Sequence, residues 1–450
     1  MQRIANCPAS CFALRLGVCS LEMDRRNFLF SLAAVGAHSA APQSSNDKLD
    51  IAAVGVGGVG SSYIQGCATE NIVALCDVDS QLAAKVYAQY PGAARYTDYR
   101  AMFDHEKGID AVIVATPDHT HAEIALAAMA LGKHVYCAKP LTRTIAEARR
   151  MATTARQSKV ATQMSVQSSM SKESCETVDW IRAGAVGRVH EVHVWSDRPV
   201  WPQSLGRPPE KPPVPETLDW KGWLGSAPHR PYHPVYHPFN WRGWVDFGTG
   251  ALGDMGCHTL HVIVRALDLG LPVSVSASVP VQFLPAYGED RDMNWIRGKR
   301  AKFEETFPAA SIVTWQFDSI RVSWYDGGLR PPRPAEWPAE QKMGADGILF
   351  VGERGVLHSG FTGGPKLVSA KRRGSYTPPK AKLTPVEDHY QEWIAACKGG
   401  PAASCEFSFG ALLTEICLLG VLAQRLPGRV ITREQAPAIE LELEAGRAAS

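Results

Sequence analysis

No stretch of about eighteen consecutive apolar residues occurs in the 450-residue sequence, so no membrane-spanning helix is expected. No charge of one sign dominates either: 47 Lys+Arg stand against 45 Asp+Glu, a formal +2. That balance argues against a nucleic-acid partner gripped by a basic face and against an acidic, solvating chain. The eleven cysteines contain no Cys-x-x-Cys pair. Cys7, Cys11 and Cys19 lie near the start. Cys67, Cys76, Cys137, Cys175, Cys257, Cys397, Cys405 and Cys417 are scattered, several inside apolar runs where Cys acts as a small buried hydrophobe. Neither a disulfide framework nor a metal site is expected. With 45% hydrophobic and 20% charged residues the composition is that of an ordinary folded protein, and the length calls for two domains. The 39 Gly and 31 Pro predict long ordered loops.

A strand-like run, Leu49-Asp50-Ile51-Ala52-Ala53-Val54, leads directly into Gly55-Val56-Gly57-Gly58-Val59-Gly60 and a helix-compatible stretch. A second strand, Asn71–Cys76, ends in Asp77. Strand, G-x-G-x-x-G, helix, strand and acid is the order a dinucleotide-binding fold requires. Gly55 permits the tight turn, Gly57 and Gly58 let backbone approach the pyrophosphate, and Gly60 lets helix and strand pack closely. Asp77 is placed to accept hydrogen bonds from the adenosine ribose and would repel a 2′-phosphate, so NAD is expected over NADP. The alternation continues through Asp110–Ala115, a helix at 122–131, His134–Cys137, a helix at 145–158 and a strand near 160–164. Loops at the carboxyl ends of such strands line the cofactor crevice, which places Thr116, Pro117, His121 and Lys139 there.

Residues 1–47 read as a leader and linker. Arg25-Arg26 precede about ten mostly apolar residues and a small-residue exit, the layout of a twin-arginine export signal, with Met23 an alternative start. Export to the periplasm or beyond is therefore expected, and a protein that gains its cofactor inside the cell must leave it folded.

The nucleotide domain is expected over residues 48–165. Residues 166–430 differ in composition: all twelve tryptophans lie at or beyond Trp180, and eleven prolines fall between Pro199 and Pro238. Strands at 186–196, 272–284, 310–325 and 346–358, with helices at 174–183, 253–268, 387–397 and 409–426, predict an α+β domain with an open antiparallel sheet. The Ala/Glu-rich residues 431–450 read as a loose tail. Tryptophans on proline-stiffened backbone suit either platforms for sugar rings or plugs holding a loop to the sheet. Asn240, Trp241 and Arg242 are the best candidates for substrate contact. In Gly253-Asp254-Met255-Gly256-Cys257-His258, a helix would put Asp254 and His258 on one face. The carboxylate would orient the imidazole and favour its charged form, which suits proton transfer; a helix cap beside a surface histidine is the plainer reading.

The glycine string, Ala115-Thr116-Pro117 with His121, Lys139-Pro140 and Asp254 to His258 occur in the order of the glucose–fructose oxidoreductase/inositol dehydrogenase (Gfo/Idh/MocA) family, which the chain resembles over residues 48–427. Trp241 through His258 and Trp324-Tyr325-Asp326-Gly327-Gly328 resemble an exported bacterial branch. The resemblance implies an NAD-dependent oxidoreductase acting on a sugar or cyclic polyol, with Lys139, Asp254 and His258 catalytic and Tyr325 near the substrate. It also implies a homo-oligomer, dimer or tetramer. Relatives that cleave glycosides by transient oxidation supply a second reading. A non-catalytic NAD- or sugar-binding protein is a third, because Ala138 replaces the glutamate that usually precedes Lys-Pro.

Overall fold

The computed structural model describes residues 48–281, 283–284, 299–300, 303–361 and 363–448. The arginine pair of the leader lies outside the described residues.

In the first half, strands and helices alternate as β1 (Asp50–Val54), α1 (Val59–Gly66), β2 (Asn71–Cys76), α2 (Ser80–Gln89), β3 (Ala94–Tyr96), α3 (Tyr99–His105), β4 (Ala111–Val114), α4 (Asp118–Ala130), β5 (His134–Cys137), α5 (Ile145–Ser158) and β6 (Thr162–Met164). The six strands are all parallel in the order β3-β2-β1-β4-β5-β6. Side chains of β1 and β4 alternate between two cores: Ala52, Val54, Val112 and Val114 enter one, Ile51, Ala53, Ala111 and Ile113 the other. A sheet covered on both faces needs such unbroken apolar runs. Helix α4 starts at Asp118, four residues before the expected start. Pro117 supplies its entry, with the fixed φ suited to a helix end.

The second half contains α6 (Lys172–Arg182), β7 (Val189–Trp195), α7 (Trp220–Leu224), α8 (Gly250–Leu267), β8 (Ser274–Ser278), β9 (Phe283–Leu284), β10 (Lys299–Arg300), β11 (Ile312–Gln316), β12 (Arg321–Tyr325), β13 (Gly347–Gly352), β14 (Gly355–Ser359), β15 (Lys366–Leu367), α9 (Ala370–Ser375), α10 (His389–Cys397), α11 (Phe407–Arg425), β16 (Ile431–Thr432) and α12 (Ala436–Ala448). Strands β9 and β10 form a small ribbon, and the others form an eight-stranded sheet ordered β15-β14-β13-β7-β12-β11-β8-β16. The expected antiparallel pairing is modified at one place: β7 and β12 run parallel, with Val194 opposite Trp324. Val192, Val194, Val322, Trp324, Ile348 and Phe350 join the core shared with α8 and α11. Helix α11 is long and apolar enough to cross a membrane, yet most of it is buried within this protein core.

One open alternative is decided and one expectation is corrected. The tryptophans are mainly plugs: Trp195, Trp244, Trp315, Trp324 and Trp393 are almost fully buried, and Trp220, Trp223, Trp241 and Trp244 form a core of their own with Tyr236 and Phe247. The tail is not loose. Ile431 pairs with Val275 at the sheet edge, and α12 follows. Glu440 of α12 accepts from the Ile145 N–H at 2.8 Å, capping α5. Glu444 pairs with Arg143 at 2.7 Å and Arg425 at 3.3 Å, and Arg447 pairs with Asp246. Glu440 thus answers backbone donors at the start of α5, and Glu444 answers arginines from distant parts of the chain.

Candidate active site

The glycine string closes the β1–α1 turn. Gly55 sits at φ +80°, and a Cβ on it would meet the Ala115 carbonyl carbon at 2.7 Å. On Gly60 a Cβ would lie 1.9 Å from the Gly55 carbonyl oxygen, so only glycine allows this approach. Gly58 precedes the helix with no side-chain cap; the Gly60 N–H turns back to the Gly57 oxygen at 3.2 Å, and the open end of α1 suits an anion such as a pyrophosphate. Gly57 donates its N–H to Asp77 Oδ2 at 3.0 Å, beside the Val56 N–H at 2.8 Å. Asp77 Oδ1 accepts from the Asp79 N–H at 2.9 Å. Burial raises the Asp77 carboxyl and these backbone donors oppose the shift. Asp77 therefore braces the loop, with both carboxylate oxygens engaged by backbone N–H groups. Taken together, the open helix end, the glycine turn and this carboxylate fit a dinucleotide.

Thr116 and Pro117 follow β4 as expected. The Thr116 hydroxyl accepts from Thr120 Oγ1 at 2.8 Å. His121 does not face the crevice. It is 1% exposed, with Nδ1 2.9 Å from the Pro140 oxygen and Nε2 2.6 Å from the Thr116 oxygen. The early start of α4 turns this side chain inward, where it ties the loop after β4 to the loop after β5. Burial holds its pKa down to about 4, against those carbonyls.

Lys139, from the loop after β5, reaches the first turns of α8. Its Nζ lies 2.7 Å from Asp254 Oδ1 and 2.5 Å from the Asp254 carbonyl oxygen. Arg242 Nε donates to the same Oδ1 at 3.3 Å, while its guanidinium lies over the Trp241 ring at 4.3 Å and the Phe239 ring at 4.6 Å. Burial pushes the Asp254 carboxyl up, but the Lys139 and Arg242 charges outweigh it and hold the pKa at about 2. His258 is one turn further along α8. No hydrogen bond joins it to Asp254 among the described residues; its ring meets Phe361 edge-on at 5.4 Å. Burial, then the Lys139 charge, lower its pKa to about 3 against the pull of Asp254. The expected imidazolium is thus corrected to a neutral ring, because burial and then the nearby Lys139 charge outweigh the pull of the Asp254 carboxylate.

Asp118 was not foreseen. It opens α4, is 4% exposed, and accepts from Thr249 Oγ1 at 2.6 Å. Burial pushes its carboxyl up to about 7 despite that bond and the Lys139 and Arg242 charges. Its place directly after Thr116-Pro117 was the available signal. Asn240 is half-buried at the start of a short 3₁₀ turn, Asn240–Gly243, beside the cluster. Tyr325 belongs elsewhere. Its hydroxyl lies 3.2 Å from His193 Nδ1, and its ring packs with Trp195, Trp337 and Leu349 on the sheet face opposite α8. Strand alternation requires this once Val322 and Trp324 face the helices.

Residues 49–166 match the family model described as an oxidoreductase family with an NAD-binding Rossmann fold, and residues 196–299 match that family's C-terminal alpha/beta domain. The chain belongs to the Gfo/Idh/MocA oxidoreductase family. It is 27% identical over 188 residues to a levoglucosan dehydrogenase of Pseudarthrobacter phenanthrenivorans, a match covering 42% of this chain and 40% of that one. It is 32% identical over 103 residues to an inositol 2-dehydrogenase of Salmonella typhimurium, covering 22% of this chain and 30% of that one. The matches thus span less than half the length of these curated relatives. Among solved structures, WlbA dehydrogenase from Bordetella pertussis, in complex with NADH and UDP-GlcNAcA, superposes with a TM-score of 0.56 at 17% identity, covering 86% of this chain and 99% of that one. An inositol dehydrogenase homolog from Azotobacter vinelandii, complexed with NADH and myo-inositol, gives 0.54 at 16% identity, covering 86% and 98%. At these identities the Gfo/Idh/MocA chain shares their fold.

Proposed function

We propose that this protein is an NAD-dependent oxidoreductase that transfers a hydride between a hydroxyl-bearing carbon of a sugar or cyclic polyol and nicotinamide. The observation that supports it most is the meeting of Lys139, from the nucleotide-binding half, with Asp254 one turn before a neutral His258. When bound, the nicotinamide supplies the hydride acceptor. Two of the three Lys139 protons are held by the Asp254 carboxylate and carbonyl, leaving one to hydrogen-bond the substrate oxygen and stabilise charge developing there. His258, uncharged, has a lone pair to take the hydroxyl proton. Asp254, itself held by Arg242, keeps the ammonium in place. The dehydrogenases among the relatives are named for carbohydrate or polyol substrates, which supports the substrate class.

Lys139→Ala and His258→Ala should each lower turnover by roughly 10²–10⁴ with little change in NADH binding. Wild-type rates in both variants would refute these roles. NADH formation with monosaccharides supports this reading. Release of sugar from glycosides without net NADH would favour the redox-neutral reading, and silence on both the non-catalytic one. We also propose export through the Arg25-Arg26 leader, tested by following a reporter fused behind residues 1–47 with and without Arg25-Arg26→Lys-Lys. A homo-oligomer built on the outer sheet face is tested by light scattering.

A further inference from the structure

Residues 217–225 lie across the two turns that flank the adenosine end of the crevice. On one side, Leu218 forms an antiparallel bridge with Asp79. The Ser80 N–H donates to the Thr217 oxygen at 3.0 Å and the Asp219 N–H to the Val78 oxygen at 2.8 Å. Residues 78–80 directly follow Asp77. On the other side, α7 rests on the start of α4. The His119 ring lies 5.3 Å from Trp223, with Nε2 3.1 Å from the Trp223 oxygen. Gly225 sits at φ +53°, and a Cβ there would lie 3.0 Å from Thr120 Cγ2. One short segment of the second half thus joins the turn after β2 to the first turn of α4.

A buried pair sits at this junction, and its histidine, His237, packs edge-on against Trp223 of this segment at 5.7 Å. His237 Nε2 is 2.8 Å from Asp79 Oδ2, and both residues are 7% exposed. His237 Nδ1 has no hydrogen-bond partner among the described residues, which puts the ring proton on Nε2, facing the carboxylate. Asp79 Oδ1 meanwhile accepts from the Gln81 and Leu82 N–H groups and caps α2. One carboxylate therefore fixes the helix with one oxygen and the segment carrying His237 with the other.

In a doubly wound sheet a dinucleotide lies across the carboxyl ends of the strands at the point where their order reverses, here between β1 and β4, with its adenosine half toward β2. We propose that the strap 217–225, secured by His237 acting through Asp79, positions the adenosine half of NAD and slows its departure. His237 is a positioning residue and touches no reacting atom. The proposal rests on the reading that NAD binds here. For the adenosine end to leave, the strap must detach at residues 78–80, breaking the backbone hydrogen bonds there and loosening the buried His237–Asp79 bond.

The test uses the whole protein and three probes: NADH followed by fluorescence, ADP-ribose for the adenosine half, and nicotinamide mononucleotide for the other. His237→Ala should release NADH about tenfold faster or more and bind ADP-ribose correspondingly more weakly, with nicotinamide mononucleotide unaffected. His237→Gln, whose amide can donate to Asp79, should restore release to near the wild-type rate. Asp79→Asn retains a helix cap and gives an independent perturbation of the same pair, with the same expected loss. Unchanged release and ADP-ribose affinity in His237→Ala and Asp79→Asn would overturn the proposal, as would equal weakening of both half-ligands. Failure of wild-type protein to bind NADH at all would overturn the NAD reading itself.

Discussion

Acidification should unfold this protein steeply, through histidines that are buried uncharged. His119, His121, His261 and His389 are 4%, 1%, 2% and 6% exposed. Burial lowers His119, His121 and His389 to about 4 and His261 to about 3, against an ordinary value of 6.5. An unfolded chain binds these four protons as pH falls through 6.5, whereas the folded one resists until about 4. The stability they contribute is complete above 6.5 and is lost on acidification. Asp118 and Asp326 act oppositely. Burial raises both to about 7, so the folded chain binds their protons first and is favoured by acid over the same range. At pH 5 the balance is about two protons in favour of the unfolded state, a slope of ~3 kcal/mol per pH unit. His258 and His358, also lowered, steepen it. Urea unfolding midpoints at half-unit steps from pH 7 to 5 measure the slope. His261→Leu, which removes one buried titrating group, should flatten it by ~1.4 kcal/mol per pH unit. A stability that is flat or rises toward pH 5, or an unchanged slope in His261→Leu, would refute the reasoning.

Three further outcomes follow from packing. Gly60→Ala brings a methyl 1.9 Å from the Gly55 oxygen and should abolish NADH binding while costing roughly 2 kcal/mol or more of stability, seen as a lower urea midpoint. Tyr325→Phe should leave kcat/KM within about twofold, because the ring faces away from Lys139 and Asp254, and steady-state kinetics with the best substrate decide it. Asp246→Asn removes the carboxylate that Arg230 and Arg447 share and should cost about 3–5 kcal/mol, lowering the thermal midpoint by several degrees.

What the sequence disclosed was local. The glycine string, the buried runs of β1 and β4, and Asp77 each carry their meaning within a few residues, and the parallel sheet follows from them. Asp254 and Lys139 were identifiable separately as polar groups in special settings. Their direct pairing required the fold, and with it came the neutral state of His258. His121 was misplaced because Pro117-Asp118-His119-Thr120 reads as loop, so the buried first turn of α4 was missed. Tyr325 was misplaced because alternation reveals two faces of a strand but not which one meets the helices. Helix α12 was missed because its partners, Arg143, Arg425 and Asp246, are remote in sequence and announce no pattern near residue 440.

Helix α12 also bears on the order in which the molecule can be completed. Glu444 is synthesised long after Arg143 and Arg425, so a nascent chain on the ribosome holds both arginines without that partner until α12 emerges. A polypeptide that stops before α12 therefore leaves Arg143 and Arg425 without Glu444.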